Sequence, residues 1–304
     1  MSNLTVSLSP HVRAQSSTRR IMLDVLIALI PAVVFAVYWF GFSVLVTILL
    51  SMAAAIGSEA LMQKALRRPI TVDDGSAAVT GLLLALTLPA GVPWYVPVLG
   101  AAFAIVIAKQ VFGGLGDNFV NPALAGRAFL LASFPVAMTT FPAVADAVSS
   151  ATPLSSEFVG TVDYAQAFLG RIGGSIGEVS KLALLAGAAY LLVRRVIDWR
   201  VPVSYLGTLA VLNLAFGEPV LDSVLLGGTV LGAFFMATDY VTSPVPPWGK
   251  VLYGVGIGVI NFAIREYGAY PEGVTYAILL MNIATPLIER ATRPKKYGEV
   301  KRHA

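Results

Sequence analysis

Residues 77–89 read Ala77-Ala78-Val79-Thr80-Gly81-Leu82-Leu83-Leu84-Ala85-Leu86-Thr87-Leu88-Pro89. The run is apolar or small throughout, so it belongs in hydrocarbon or in a protein core. A helix needs about 20 apolar residues to cross a bilayer, with about 17 as a usual lower limit. Here a proline halts it after about a dozen. The stretch therefore predicts a membrane helix that breaks partway. Such breaks are tolerated only where protein or a cavity covers the freed backbone groups.

The flanking sequence has the same character. Ten apolar segments run over about 21–39, 42–62, 77–88, 95–112, 121–134, 180–193, 201–216, 221–238, 250–264 and 273–288. Several are short, and the fifth opens on Asn121-Pro122 and stops at Pro135. Of 304 residues, 57% are hydrophobic and 12% charged, against about 25% charged in soluble domains. Mean hydropathy is +0.77. A soluble enzyme, a disordered chain and a fibrous chain are excluded. Cysteine is absent, which removes disulfides, thiolate-bound iron–sulfur clusters and thiol nucleophiles. The two histidines, His11 and His303, lie in polar tails, so no imidazole in the apolar body can ligate a haem. If electrons move through this chain, their carrier is organic. No secretory signal is expected, because the first apolar run follows about twenty polar residues and has no small-residue cleavage site.

The net charge of +4 does not point to nucleic acid. Basic residues sit between apolar runs, as in proteins oriented by the positive-inside rule. Arg13, Arg19 and Arg20 precede the first segment. Lys64, Arg67 and Arg68 follow the second, Lys109 ends the fourth, and Arg194, Arg195 and Arg200 follow the sixth. Lys250 follows the eighth, and Arg290, Arg293, Lys295, Lys296, Lys301 and Arg302 follow the tenth. With ten crossings all of these face one side, the cytoplasm, and both termini lie there. That assignment requires the short third segment to count as a crossing.

The expected fold is an all-α polytopic membrane protein of about ten transmembrane helices. They form two inverted five-helix repeats with short or broken members. The division is a tail at 1–20, a first repeat at 21–134, an extracytoplasmic loop at 135–179, a second repeat at 180–288 and a basic cytoplasmic tail at 289–304. At one offset Gly81 matches Gly232, Thr87 matches Thr238 and Pro135 matches Pro286, as an internal repeat requires. The expected location is a cell (inner) membrane of bacterial or archaeal type.

Two strings can carry chemistry. The outer loop holds Asp146-Ala147-Val148-Ser149-Ser150-Ala151-Thr152-Pro153. A threonine hydroxyl at Thr152 can form a phosphoester with FMN. Ser149, Ser150 and Ala151 are small enough for a modifying enzyme to approach, and Asp146 is a candidate recognition carboxylate. The same string also reads as an ordinary Ser/Thr-rich turn. The second string is Gly113-Gly114-Leu115-Gly116-Asp117-Asn118-Phe119-Val120-Asn121-Pro122-Ala123-Leu124-Ala125-Gly126-Arg127-Ala128-Phe129. It reads as a glycine turn followed by a helix with Asn121 as N-cap and Pro122 in the first turn. Arg127, deep in an apolar run, must face a partner, a cavity or a ligand phosphate. Asp24 and Glu59 read as interfacial charges, Glu59 beside Lys64. Asn213, Asn261 and Asn282 read as interhelical hydrogen-bonders.

These two strings together resemble the RnfD component of Rnf complexes, whose close relative is the NqrB component of the sodium-translocating NADH:quinone oxidoreductase. Further agreement comes from Asp74-Gly75-Ser76 leading into Thr80–Pro89, from Phe234-Phe235-Met236-Ala237-Thr238-Asp239 with Thr242-Ser243-Pro244, and from Leu280-Met281-Asn282 with Pro286-Leu287-Ile288. The resemblance covers about residues 18–290. The family's flavinylation pattern is Asp-x-x-Ser/Thr-Gly/Ser-Ala-Thr; Asp146 to Thr152 matches it, with Ser150 where Gly is commoner. The resemblance implies a membrane flavoprotein subunit of a redox-driven Na+ or H+ translocase, a ferredoxin:NAD+ oxidoreductase. It implies covalent FMN on Thr152 and a second, non-covalent riboflavin nearer the cytoplasm. For that second site the polar groups available are the glycine turn and the stretch Thr238-Asp239 to Ser243; Asn118, Asn121 and Arg127 are further candidate cofactor-binding residues. Implied partners are the other Rnf subunits, including a second FMN-carrying one, the bilayer, and a flavin transferase during maturation; nucleic acid is not among them. The short N-terminal tail favours the Rnf type over its quinone-reducing sister. Outside the redox class, a channel or transporter with inverted repeats is the alternative reading.

Overall fold

A computed structural model describes residues 17–141, 164–169, 174–178, 180–268 and 273–294. Among these residues the structure is helical, with one isolated antiparallel bridge between Pro89 and Ser175. The helices are α1 (Thr18–Phe40), α2 (Phe42–Ala65), α3 (Ser76–Leu86), α4 (Tyr95–Ile105), α5 (Pro122–Ser133), α6 (Pro135–Thr139), α7 (Tyr164–Leu169), α8 (Lys181–Val193), α9 (Arg200–Phe216), α10 (Val220–Leu225), α11 (Thr229–Leu231), α12 (Pro247–Tyr267) and α13 (Val274–Thr292). α4 runs on as a π-helical turn at Val106–Gln110, and α11 as another at Gly232–Met236. The ten apolar segments match these elements, except that 221–238 is divided by the bend at Leu226–Gly228 into α10 and α11. α1, α2 and α12 are long and apolar enough to cross a membrane.

Large side chains point outward and small ones inward, the arrangement expected where lipid replaces water. On α1, Leu23, Ile27, Ile30 and Val34 form an exposed stripe, while Asp24, Ala28, Ala32 and Ala36 are buried at every fourth position. On α2 the buried positions Ser51, Ala55, Glu59 and Gln63 repeat the same spacing. Glycines permit the closest approaches. A Cβ on Gly81 of α3 would lie 2.8 Å from the Met52 Cα of α2. Ser51 of α2 donates to the Gly81 carbonyl at 2.7 Å. α1 packs on α8, α2 on α3 and α4, α5 on α4 and α13, and α12 on α9 and α13.

The broken segments end inside the protein. α3 is 11 residues long, about 16 Å at 1.5 Å per residue, roughly half of a 30 Å hydrocarbon core. Past its C-terminus the chain turns, and the Leu88 carbonyl accepts the Ile176 N–H at 2.8 Å. This pairing satisfies backbone groups that a broken helix leaves exposed. α3 starts beside Lys109, and α4 with its π-helical turn returns to it.

Contacts gather the basic loops at one end. Arg194 after α8 bridges to Asp24 near the start of α1 at 3.1 Å. Arg68 after α2 donates to the Gly113 carbonyl at 2.9 Å. Lys250 of α12 bridges to Asp198 at 2.9 Å. At the opposite end Arg265 donates to the Ser223 carbonyl at 2.8 Å and Lys181 to the Gly227 carbonyl at 3.0 Å. Asp24 is therefore not an interfacial cap: it joins α1 to α8, also accepting the Tyr190 hydroxyl at 2.9 Å.

Candidate functional site

At the basic end an apolar slot opens between α1, α3, the loop before α5 and the segment after α11. It encloses about 750 Å³, part of it open to solvent. Val25, Leu83, Phe234 and Phe235 contribute apolar walls, and Asn118, Asn121, Thr238, Asp239 and Lys109 supply polar groups. Of the candidate cofactor-binding residues, Asn118, Asn121, Thr238 and Asp239 thus line one cavity, although the two strings lie more than a hundred residues apart in the chain.

Local chemistry fixes each group. Asn121 caps α5 as expected: its side-chain oxygen accepts Ala123 N–H at 3.0 Å and Leu124 N–H at 3.3 Å, with Pro122 in the first turn. Its amide nitrogen donates to the Met236 carbonyl at 3.2 Å, tying α5 to the π-helical turn. Asn282 of α13 holds it from behind. In the orientation its hydrogen-bond network dictates, Asn282 accepts Asn121 N–H at 2.9 Å and donates to Tyr253 at 2.5 Å and to the Ile278 carbonyl at 3.2 Å. Thr238 donates to the Phe234 carbonyl at 2.7 Å. Asp239 accepts Val241 N–H at 3.3 Å and the Thr242 hydroxyl at 3.2 Å. The glycine turn before Asn118 is built on positive φ angles, 139° at Gly113, 109° at Gly114 and 104° at Gly116. Side chains rarely adopt such a backbone, so these positions favour glycine.

A buried ionic network forms the floor beside the slot. Lys109 donates to Glu59 at 2.8 Å and to the Ser76 hydroxyl at 2.6 Å. Gln110 donates to the same Glu59 oxygen at 2.7 Å, and Ser76 donates to Asp74 at 2.6 Å. Glu59 is not the interfacial neighbour of Lys64, and Lys109 is not a loop cation. Both are buried, because the π-helical turn and the every-fourth-residue face of α2 aim them at each other.

The other expected residues fall elsewhere. Arg127 is 6% exposed and is absent from the walls of this slot. It stands with Glu178 beside Gly228: a Cβ there would lie 3.8 Å from Arg127 and 3.3 Å from Glu178. That placement agrees with a structural role. Ser243 lines a neighbouring pocket with Arg195, Arg200 and Lys250. Asp146, Ser149, Ser150, Ala151 and Thr152 lie outside the described residues. Asn261 donates to Tyr205 at 2.8 Å, and the Asn213 oxygen accepts the Ser223 hydroxyl at 2.7 Å. The asparagines therefore link helices as expected.

Comparison with known proteins identifies the family. The family model described as the NQR2, RnfD, RnfE family matches residues 5–298. A relative from Acetobacterium woodii, the D component of a Na(+)-translocating ferredoxin:NAD(+) oxidoreductase complex, is 50% identical over 98% of this chain and 96% of its own length. One from Clostridium ljungdahlii, the D component of a proton-translocating ferredoxin:NAD(+) oxidoreductase complex, is 44% identical over 97% and 96%. One from Ectopseudomonas mendocina, the D component of an ion-translocating oxidoreductase complex, is 38% identical over 96% and 95%. The chain belongs to the NQR2, RnfD, RnfE family.

Proposed function

We propose that this chain is the membrane-embedded flavoprotein, the RnfD component, of an ion-translocating ferredoxin:NAD+ oxidoreductase. In this reading FMN is esterified to Thr152 and a second, non-covalent flavin lies in the slot at the basic end. The supporting observation is the convergence of Asn118 and Asn121 with Thr238 and Asp239 around apolar walls. A flat ring edged with alternating N–H and C=O groups suits Phe234, Phe235 and Val25 on its faces and these polar side chains at its rim. A bound flavin exchanges one or two electrons. The protein's part is to hold the ring, exclude water and present the polar groups of Lys109 and Asp239 nearby.

The basic end is read as cytoplasmic under the positive-inside rule. The loop carrying Thr152 then lies on the outer side, because it follows α5 and α6, which lead away from the slot. Two inverted repeats are supported by helix ends. The offset that superposes Gly81 on Gly232 carries the starts of α3, α4 and α5 to within two residues of those of α11, α12 and α13. It also carries the end of α2 onto that of α9. Two pairs of equivalent helices pack together, α1 on α8 and α5 on α13, as helices beside a two-fold axis do. The partners are the other subunits of the assembly, including a second FMN-carrying one, and a flavin transferase during maturation. The named relatives divide between sodium and proton, so membership alone does not fix the ion.

The test is direct. The chain, expressed with a flavin transferase and run on a denaturing gel, should fluoresce as a flavin band. The purified native protein should release additional flavin on precipitation. A dark band and a flavin-free extract would overturn the reading in favour of a non-redox transporter.

A further inference from the structure

Beside the slot, on the same end of the molecule, lies a second pocket of about 1,410 Å³, part of it open to solvent. It sits between the α8–α9 turn and the start of α12. Arg195, Arg200 and Lys250 line it, against the single carboxylate of Asp198. That carboxylate is shared: one oxygen accepts both Arg200 and Lys250, each at 2.9 Å. The Arg195 side chain is exposed and makes no hydrogen bond or ion pair among the described residues. Its backbone, with φ of 56°, turns it out of the end of α8. Three cations against one carboxylate leave an excess of two positive charges.

The surroundings specify the depth. Trp199 and Tyr240 line the pocket and are 57% and 53% exposed. Such amphipathic rings sit at the headgroup level of a bilayer. Exposed apolar side chains flank the turn on either side, Val193 at the end of α8 and Val203 in the first turn of α9. A basic pocket framed by exposed amphipathic rings, with apolar Leu192, Val201 and Val245 also in its walls, matches an anionic phosphate group carrying hydrocarbon.

We propose that this pocket binds the phosphate headgroup of an anionic phospholipid from the leaflet at the basic end. Arg195, Arg200 and Lys250 hold the phosphate, and Trp199 and Tyr240 flank the glycerol region. The lipid would brace the flavin slot, because Val196, Ile197, Thr238 and Tyr240 line both cavities. The Tyr240 hydroxyl donates to the Val196 carbonyl, closing the strap between them. The charge argument stands whether or not a flavin occupies the neighbouring slot.

The test counts lipid adducts on the purified full-length chain by native mass spectrometry, titrating phosphatidylglycerol, phosphatidylcholine or inorganic phosphate. Phosphatidylglycerol should bind preferentially, and inorganic phosphate should not displace it. Arg195→Gln should weaken it about fivefold, as should Lys250→Gln, and the double variant should bring it to the phosphatidylcholine level. Asp198→Asn, which removes the competing carboxylate, should strengthen it. An unchanged gel-filtration profile and helical circular dichroism in each variant report an intact fold. Equal binding of the two lipids, or full retention in the double variant, would overturn the proposal. Displacement by inorganic phosphate would overturn it in favour of a soluble phosphate ligand. Loss of a co-purifying partner protein with lipid adducts unchanged would overturn it in favour of protein docking.

Discussion

Lys109 and Glu59, fifty positions apart in sequence, form an ion pair at 2.8 Å with side chains only 2% and 1% exposed. The pair joins the π-helical end of α4 to α2 and borders the proposed flavin slot. Removing one partner of a buried pair leaves an uncompensated charge and costs about 3–5 kcal/mol. Replacing both by apolar residues is often close to neutral. Lys109→Met should therefore lower the thermal midpoint of the purified protein markedly. Glu59→Leu combined with Lys109→Met should recover at least half of that loss. A double variant no more stable than the single would show that Gln110 and Ser76, not the charge pairing, hold this region.

That pair also marks where the sequence stops being readable. Long apolar runs revealed the helices, because lipid-facing and core-facing residues are both apolar and leave an unbroken signal. The start of α5 was legible in Asn121-Pro122, whose chemistry is local. The partner of Glu59 was not, because proximity in sequence pointed to Lys64. One available signal was the spacing of Ser51, Ala55, Glu59 and Gln63, which puts Glu59 on the small-residue face of α2. Asp24 follows the same logic with Ala28, Ala32 and Ala36. Arg127 was ambiguous for the opposite reason: its neighbours Glu178 and Gly228 come from distant segments, and the helix containing it says nothing about them.

The contact between α1 and α8 depends on Gly187. A Cβ added there would collide with the Ala28 carbonyl of α1, which is backbone and cannot rotate away. Gly187→Ala should destabilise by about 1–3 kcal/mol through overpacking, despite the better helix propensity of alanine. Gly207 of α9, with nothing within 4 Å of its added Cβ, is the control: Gly207→Ala should be neutral or stabilising. Equal effects at the two sites would mean that α1 and α8 separate easily.

Asp198 lies in the turn between α8 and α9. Burial pushes its carboxyl upward, but hydrogen bonds from Lys250 and the Arg200 backbone, with the Lys250 charge, outweigh this and hold it below the usual value. A carboxylate lowered in the folded state adds stability above its unfolded value, about 3.9. That contribution is lost as pH falls through the lowered folded value. Asp198→Asn should therefore reduce the thermal midpoint near neutral pH, with the gap to the parent protein closing only in acid below pH 4. A gap that is constant from pH 7 to pH 3 would assign the effect to packing. The group is partly exposed and its partners reach solvent, so the gap is small and should shrink further in high salt.

The two flavins of the proposal are separable by mutation. Thr152→Ala should abolish in-gel fluorescence and leave the extractable flavin in place, since Thr152 is distant in sequence from every residue lining the slot. Asn121→Ala should do the reverse. It removes the cap of α5, a cost of about 0.5–2 kcal/mol, and the bond to the Met236 carbonyl, so the walls of the slot separate. Extractable flavin should fall severalfold while the covalent band persists. Asn282→Leu, which removes the support behind Asn121 without touching the slot, should give a milder loss. If Asn121→Ala and Thr152→Ala each removed both signals, the slot would not be an independent flavin site. The convergence of Asn118, Asn121, Thr238 and Asp239 would then serve only to hold two broken helices together.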